Sequence, residues 1–520
     1  MKQGLNMTGL TVAVLSFLAL PTFAEKPGKR SEPSTVHQQI ITFERDKSAI
    51  MPNLEYLSDM IGARLTGSEK MLEANKWTAE RMKEYGLQNV HLEPYTIPEG
   101  WERGKCEATI TSPIKFKLNL LQMAWTPGTR GKVKGNVVVF NPAKEEDFEA
   151  FRGKLKDAII IDRPQFFPTR GVLPGGTTPP PIPAFAKSTA GMIQNQVERA
   201  MTGMELEDDH GHEAQPPQRR GGGRGAGFME FRRKMQAFLQ EEGAAAILRV
   251  SDKPHDLQNM TGSWGSKAVI PTLFITQEHI SLISRLMNRN LPVTIELEAK
   301  CKITKKPVTV YNTVGEIPGT EKPNEFVLLG AHLDSWDISQ GTTDNGTGSM
   351  IVLEVARIFQ NLQLKPKRTI RFVLFSGEEQ GLYGSRAYVE AHKSEMPQFN
   401  VVFVHDTGTG RVRGAWLQGR EEVRPVLEKE FATVGALGLL TDKPNLQPNK
   451  MNGTDHAPFD DAGVPAFAFM QDRAEYSLTH HSQTDTFDKV RAEDLMQGAC
   501  VMAIFAYNAA ISDMTYPRKK

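Results

Sequence analysis

The spacing of apolar residues changes twice along the chain and divides it into three parts. Between about residues 36 and 86, apolar side chains recur every three to four positions, which predicts helices with a break at 64–68. From residue 106, short alternating segments are separated by Gly and Pro, which is typical of a mostly β module of roughly 200 residues. After residue 311, strand and helix patterns alternate.

The third part has the pattern of an α/β domain. The apolar runs 326–329, 369–375 and 400–404 predict buried strands, and the segments 348–359 and 382–392 between them predict helices. Helices of this length between fully apolar strands indicate βαβ crossovers, so we expect a mixed, largely parallel sheet flanked by helices. In such sheets, functional groups gather beyond the carboxyl ends of the strands.

Polar residues of metal-binding type follow each of these predicted strands. They are His332 and Asp334 with Asp344 in the next loop, then Glu378 and Glu379, then His405 and Asp406, and finally His480 and His481 after a fourth apolar run at 464–470. Any one of them is more often a turn, capping or exposed loop residue, and Asp-Asn-Gly is first of all a turn sequence. Their occurrence together after four apolar runs favours a metal site.

The residue types match the requirements of a site for two divalent metals. Such a site needs about five His, Asp and Glu ligands and a free carboxylate that deprotonates the bridging water. The chain supplies the five ligands as His332, Asp344, Glu379, Asp406 and His481. Glu378 is left as the general base, because a carboxylate beside a metal ligand is held within reach of the metal-bound water.

Composition and the N-terminus limit the partners and the compartment. The 520 residues carry a formal net charge of +1, so nothing in the charge balance calls for nucleic acid or an anionic membrane surface. Residues 1–24 combine Lys2, a short apolar run and small residues before a cleavage site, which predicts an export signal peptide. No other stretch is expected to be long and apolar enough to cross a membrane, so we expect a periplasmic or secreted protein without a stable membrane anchor.

Three cysteines are too few for a disulfide framework or a Cys-ligated zinc site in an oxidising compartment. Cys106 and Cys301 fall near the two ends of the β module, where their placement allows a bridge that we nevertheless do not expect. Cys500 lies in an apolar segment that predicts a buried helix face. Within the module, an acidic patch followed by a Gly/Arg tract at about 205–228 predicts a flexible surface loop rather than an RNA-binding segment.

Four motifs resemble those of the co-catalytic zinc aminopeptidases of clan MH, a group that includes aminopeptidases Y and S, carboxypeptidase Q and glutamate carboxypeptidase. They are Gly330-Ala-His-Leu-Asp-Ser335, Thr343-Asp-Asn-Gly-Thr-Gly348, Gly377-Glu-Glu-Gln-Gly-Leu-Tyr-Gly-Ser385 and His481-Ser-Gln-Thr-Asp-Thr486. The catalytic match covers about 310–490. The β module resembles the protease-associated domain that many members carry. The implied organisation is a signal peptide at 1–24, an N-terminal helical part of the catalytic domain at 25–104, an inserted protease-associated-like domain at 105–305 and the zinc peptidase domain at 306–520.

The resemblance also implies residue roles and two Zn²⁺ ions per chain. His332 and Asp406 would hold one ion, Glu379 and His481 the other, and Asp344 would bridge them. Glu378 would act as general base and then as acid for the leaving amine, and Asp334 would orient His332 through its other ring nitrogen.

Several histidines and acids compete for these roles. The spacing to Asp485 selects His481 rather than its neighbour His480 as the ligand. His405, Asp455 and His456 are expected to support the site or the core rather than to bind metal.

The implied function is an exported di-zinc exopeptidase that acts on peptide or protein substrates, with aminopeptidase action by a metal-bridging hydroxide favoured. A metallocarboxypeptidase or dipeptidase of the carboxypeptidase Q type would use the same site. A receptor-like binding protein on this scaffold, a single-zinc glutaminyl cyclase-like transferase and a metal-dependent deacylase are further alternatives. The complete set of ligands and the intact base favour an active two-metal peptidase.

Overall fold

The structure is a computed structural model that describes residues 35–161 and 224–519. The predicted signal peptide at 1–24 and residues 205–223 of the predicted loop lie outside the described residues. The last residues of that loop, 224–228, differ from the expectation, because they begin a helix.

The described residues form two eight-stranded sheets. The strands in chain order are β1 (Gln88–Ile97), β2 (Gly100–Ser112), β3 (Phe116–Leu118), β4 (Leu120–Gln122), β5 (Val133–Val139), β6 (Ile159–Ile161), β7 (Ala246–Val250), β8 (Thr272–Ile275), β9 (Thr294–Thr304), β10 (Val308–Ile317), β11 (Lys322–His332), β12 (Arg368–Phe375), β13 (Phe399–Val404), β14 (Val412–Trp416), β15 (Asn445–Gln447) and β16 (Ala466–Gln471). The first sheet has the order β1-β10-β12-β11-β13-β16-β14-β15, and the second has the order β3-β2-β9-β5-β6-β7-β8-β4.

The helices of the described residues, numbered in chain order, cover the first sheet and support the second. They are α1 (Val36–Lys47), α2 (Ile50–Glu55), α3 (Glu69–Glu84), α4 (Arg224–Glu241), α5 (Gln277–Asn288), α6 (Thr347–Asn361), α7 (Tyr383–Ala391), α8 (Arg424–Ala436), α9 (His456–Asp461), α10 (Tyr476–Thr479) and α11 (Ala492–Ile511). A single π-helical turn, Tyr56–Ile61, continues α2. The predicted helical N-terminal part and its break at 64–68 are therefore confirmed.

The centre of the first sheet is parallel, as the apolar strand runs predict. Strand β11 pairs in parallel with both β12 and β13, and β13 pairs in parallel with β16. Every residue of β12 and β13 is buried, because helices cover both faces of this part of the sheet. Strands β1 and β10 run antiparallel to their neighbours, and β14 runs antiparallel to β16 but parallel to β15, which confirms a mixed, largely parallel sheet flanked by helices.

Four strands of the first sheet, β1, β10, β14 and β15, have no counterpart in the sequence prediction. Strand β1 follows the N-terminal helices and pairs antiparallel with β10, and its side chains alternate poorly between buried and exposed. The second sheet is built entirely from residues 100–304, which lie in the sequence between β1 and β10. The two cysteines near its ends, Cys106 and Cys301, lie on the paired strands β2 and β9 and carry free thiols.

Helix α11 packs against the first sheet and contributes to the same hydrophobic core. Within the described residues it is long and apolar enough to cross a membrane, so the expectation that no stretch beyond the N-terminus has that property is wrong. The apolarity has another cause, since 72% of its most apolar window is buried inside the protein. Its residues, Cys500 among them, pack against α6 and the sheet, as the predicted buried helix face requires.

A buried carboxyl pair joins α1 to α6. Glu44 is fully buried and lies against Glu354, whose carboxylate accepts hydrogen bonds from Arg357. Burial and the neighbouring carboxylate raise the pKa of Glu44 from 4.5 to about 9. Because the folded protein holds this proton more tightly than the unfolded chain, the stability from the protonated form is full below pH 4.5 and is lost as the pH rises towards 9.

The variant Glu44→Gln should therefore be increasingly more stable than the wild type as the pH is raised from 5 to 9. Glutamine keeps the shape and the hydrogen-bonding capacity of the protonated acid and cannot ionise. Melting temperatures measured across this range should diverge by a few degrees at pH 9, since about 1 kcal/mol moves the melting temperature by roughly 2 to 4 °C in domains of 150 to 250 residues. The exposed Glu55 of α2 provides the control Glu55→Gln, and a difference that is the same at all pH values would contradict the prediction.

Candidate metal centre

The candidate ligands lie together at the carboxyl edge of the parallel strands. His332 is the last residue of β11, Glu378 and Glu379 follow β12, and Asp406 follows β13. The loop after β16 brings His481 to the same edge. Parallel strands end on the same side of a sheet, so four connections that are far apart in sequence meet over one small area.

His332 points its Nε2 atom at a group of carboxylates. Its Nδ1 atom lies 3.0 Å from the backbone carbonyl oxygen of Asp334, which fixes the ring and directs Nε2 outward. Nε2 is 3.1 Å from Oδ1 of Asp406 and 3.4 Å from Oδ1 of Asp344. Burial lowers the pKa of His332, but Asp406 and Glu378 outweigh it and raise the pKa well above the usual value. The position of Nε2 therefore attracts a positive charge.

Asp344 connects two groups of ligands. Its Oδ1 atom faces His332, and its Oδ2 atom lies 3.6 Å from Nε2 of His481. The side chain of Asp485 holds this loop by accepting hydrogen bonds from the backbone N–H groups of Thr343, at 2.5 Å, and Asp344, at 3.2 Å. Each oxygen of the Asp344 carboxylate thus faces a different histidine, which is the arrangement of a bridging ligand.

Glu379 and His481 form the second group. Oε2 of Glu379 lies 2.8 Å from Nε2 of His481, and both side chains are buried. The ring of His480 stacks on that of His481 with 3.7 Å between the centroids, and its Nε2 lies 3.9 Å from Oδ2 of Asp344. The contact with Glu379 belongs to His481, which agrees with the choice made from the spacing to Asp485.

Glu378 lies between the two groups and is almost completely buried. Its Oε2 atom is 4.0 Å from Nε2 of His332, and its Oε1 atom accepts no hydrogen bond from the described residues. Burial raises the pKa of Glu378 well above its usual value, and the carboxylates of Asp406 and Asp455 add to the shift while His332 opposes it. The side chain is thus suited to holding a proton near neutral pH.

Asp334 contacts Nδ1 of His332, the ring nitrogen through which the resemblance implies that it orients the histidine, and the closer contact is made by its backbone oxygen. The carboxylate oxygen Oδ1 is 3.6 Å from Nδ1 of His332, and the backbone oxygen is closer. The carboxylate instead accepts hydrogen bonds from Oγ1 of Thr66 at 2.9 Å and from the backbone N–H of Glu378 at 3.3 Å. Asp334 therefore couples two loops. They are residues 333–346 after β11, which we call the His332 loop, and residues 376–382 after β12, which we call the glutamate loop.

Sequence reasoning missed two residues of the N-terminal segment that hold these loops. Thr66 also accepts a hydrogen bond from the backbone N–H of Gly377. The fully buried Arg64 donates to the backbone carbonyl oxygens of Leu333, Gln340 and Gly341 in the His332 loop. Both lie in the break between two helices, and that break was the one available signal.

Arg64 also brings a positive charge close to the acidic cluster. Burial lowers the pKa of Arg64 to about 10, while the carboxylates of Asp485, Asp334 and Asp344 oppose this shift. The guanidinium therefore stays charged at neutral pH.

The residues present fit two metal ions. Ligand atoms of His332, Asp344 and Asp406 lie within 4.8 Å of one another, and so do those of Asp344, His480 and His481. Oε1 of Glu379 is buried without a hydrogen-bond donor in the described part of the chain, as a metal ligand would be. Imidazole and carboxylate groups in this number are the donors that divalent zinc takes in catalytic sites.

A small cleft lies over the ligands, and its lining combines them with a few neutral residues. These lining residues are His332, Asp344, Glu378, Glu379, Asp406, Met451, Gly453, Thr454, Tyr476, His480 and His481.

Three other polar residues that the sequence analysis noted lie behind this cleft. The ring nitrogens of His405 are buried without a hydrogen bond to the described residues, and burial lowers the pKa of the ring to about 4. His456 contacts Gln418 and the backbone oxygen of Met451. Asp455 is fully buried, which raises its pKa to about 8. None of the three lines the cleft in the described part of the chain.

Comparison with known proteins places this geometry in a family. The sequence pattern of peptidase family M28 matches residues 312–505, which carry every candidate ligand. Carboxypeptidase Q of Mus musculus is 29% identical over 469 residues, which are 89% of this chain and 86% of that protein.

Solved structures agree with the sequence comparison. The crystal structure of a peptidase M28 precursor from Shewanella amazonensis SB2B superposes with a TM-score of 0.70 at 27% identity, covering 93% of this chain and 98% of the other. The zinc aminopeptidase BSAP from Bacillus subtilis has the same fold, with a TM-score of 0.61 at 20% identity over 90% of this chain and 96% of its own. On its motifs, its fold and these similarities, residues 312–505 carry the sequence pattern of peptidase family M28 and the chain is a metallopeptidase.

Proposed function

We propose that the chain is an exported di-zinc exopeptidase that releases residues from the N-termini of peptides. The observation that carries this proposal is the position of Asp344, whose two carboxylate oxygens face the histidines of two separate ligand groups. Export is supported by the signal-peptide pattern of residues 1–24.

In this proposal, His332 and Asp406 would hold one zinc ion, Glu379 and His481 would hold the other, and Asp344 would contribute to both positions. When bound, the two ions supply an activated water nucleophile and positive charge that stabilises the tetrahedral oxyanion. The contact between Nδ1 of His332 and the backbone oxygen of Asp334 keeps the proton on Nδ1, so Nε2 is available as the ligand atom.

Glu378 is the proposed general base and acid. Its Oε1 atom has no hydrogen-bond donor among the described residues and is positioned to take a proton from the attacking water. Because burial raises its pKa, the protonated carboxyl persists long enough to pass the proton to the nitrogen of the leaving amine. The backbone N–H of Glu378 donates a hydrogen bond to the carboxylate of Asp334, which fixes the backbone position from which the Glu378 side chain extends.

The charge of the cleft favours a free α-amine over a free α-carboxylate in the substrate. The cleft is lined by four carboxylates, whose charge two zinc ions would balance, and no Lys or Arg lines it in the described part of the chain. A substrate α-carboxylate would therefore find no cationic side chain to pair with, whereas a substrate ammonium group could bind to a lining carboxylate. This supports aminopeptidase action.

A second candidate is a metallocarboxypeptidase or dipeptidase that uses the same site. The observation in its favour is the similarity to carboxypeptidase Q, which extends over 89% of this chain. The two candidates differ in which end of the substrate must carry a free charge.

The substrate prediction follows from this difference. Amino-acid anilides with a free α-amine and C-terminally amidated dipeptides should be hydrolysed, and N-acetylated anilides should not, because acetylation removes the ammonium group that a lining carboxylate could bind. Initial rates on matched pairs of substrates measure the preference.

Removal of zinc with a chelator should abolish the activity, and re-addition should restore it. Hydrolysis that requires a free α-carboxylate but no free amine would favour the second candidate, and full activity after chelation would exclude the two-metal mechanism.

The base prediction concerns Glu378→Gln. The amide cannot accept the proton, so kcat should fall by about 10² to 10⁴, while two zinc ions remain bound because the ligands are intact. Steady-state kinetics and zinc analysis of the purified variant measure both quantities. The exposed Glu390 of α7 provides the control Glu390→Gln, which should behave as the wild type. A Glu378→Gln enzyme with the wild-type rate would remove Glu378 as the base.

A further inference from the structure

The second sheet contacts the loop that carries His481. The segment 253–266, which we call the docking segment, connects β7 to β8, and it lies against residues 477–485, which we call the His481 loop. The backbone N–H of Met260 donates a hydrogen bond of 2.9 Å to the backbone oxygen of His481 itself. A residue of the second sheet's connection is therefore bonded directly to a candidate metal ligand.

Gln483 strengthens this contact with two hydrogen bonds that run in opposite directions. Its Oε1 atom accepts from the backbone N–H of Gln258 at 2.8 Å, and its Nε2 atom donates to the backbone oxygen of Asp256 at 3.3 Å. The ammonium group of Lys253, a residue that is only 5% exposed, donates to the backbone oxygen of Ser477 at 3.0 Å. The docking segment thus holds the His481 loop on both sides of the histidine.

His481 needs such support because its backbone is in the left-handed region, with φ of 56°. This conformation is disfavoured for residues other than Gly and persists where surrounding contacts determine it. On the opposite side of the loop, Oγ of Ser339 lies within hydrogen-bond distance of the backbone oxygens of Gln483, at 3.1 Å, and Asp485, at 2.7 Å. The loop is therefore held between the first sheet and the docking segment.

The second sheet also reaches two of the other three ligand-bearing loops. Trp264 of the docking segment packs on Tyr383, which follows the glutamate pair, with ring centroids 4.4 Å apart. Arg103 of β2 forms two hydrogen bonds, of 2.8 and 2.7 Å, with the carboxylate of Asp337 in the His332 loop. Contacts to three loops fix the second sheet relative to the site.

From these contacts we infer that Gln483 is a positioning residue, through which the docking segment holds His481 opposite Glu379 and sets the affinity of the second metal position. The inference rests on the proposed two-zinc function. It assigns to the second sheet a part in building the metal centre, through residues that bind neither metal nor substrate.

The test compares two glutamines that are both half-buried. Gln483→Met keeps the length of the side chain and removes both hydrogen bonds to the docking segment. Gln277→Met is the matched control, because Gln277 donates to the backbone oxygen of Ser251 and thus bonds within the second sheet's own residues. Zinc affinity is measured by titration of the metal-free proteins against a chromophoric chelator, which does not depend on catalysis.

We expect Gln483→Met to bind one zinc ion as the wild type does and the other about tenfold to a hundredfold more weakly, the usual effect of losing a residue that orients a ligand. Gln277→Met should bind both ions normally. With limiting zinc, kcat of Gln483→Met should fall while KM is unchanged, and saturating zinc should restore kcat. Lys253→Met, which removes the donor to Ser477, should lower the affinity for the same ion and provides a second variant if Gln483→Met does not fold.

Wild-type affinity for both ions in Gln483→Met, or an equal loss in Gln277→Met, would overturn the inference. A wild-type protein that binds fewer than two zinc ions would instead overturn the proposed two-metal function, so the two failures can be told apart.

Discussion

The structure depends on an excess of buried negative charge at one edge of the first sheet. Asp334, Asp344, Glu378, Glu379 and Asp485 are all nearly or completely buried there, and carboxylates brought this close repel one another strongly in a medium that water does not screen. Burial disfavours the charged form and raises the pKa values of Glu378 and Glu379, and the neighbouring carboxylates add to the shift. Positive charge must balance the cluster, and Arg64 and the proposed metal ions are suited to that task.

The groups that balance and orient the cluster come from distant parts of the chain. Arg64 and Thr66 belong to the N-terminal segment, yet they bond to the loops that follow β11 and β12. Gln258 and Met260 come from the second sheet and bond to the loop that follows β16. The loops that carry the candidate ligands are therefore held by residues of the N-terminal segment and of the second sheet, and the geometry of the site depends on both.

The central strands and the ligands could be predicted from the sequence for one physical reason. A strand covered on both faces is a continuous apolar run, and the polar residue that ends the run is visible against it, as at His332 after β11. The roles of Arg64 and Thr66 could not be predicted in this way, because hydrogen bonds to residues some 270 positions away produce no periodic pattern in the sequence. Strand β1 was missed because an edge strand with mixed burial resembles a loop.

The pairing of β1 with β10 has a consequence for how the protein is made. Ile97 pairs with Val308, and all residues of the second sheet lie between these two in the sequence. During synthesis, β1 therefore cannot pair with β10 until the residues of the second sheet have been made. Closing so long a loop is slow and entropically costly, which favours prior folding of the second sheet to bring the ends together. Arg64 and Thr66 reach the acidic edge only after that closure. The chain thus acquires its metal-binding geometry late, when both sheets are in place, and an incomplete chain does not present the assembled centre.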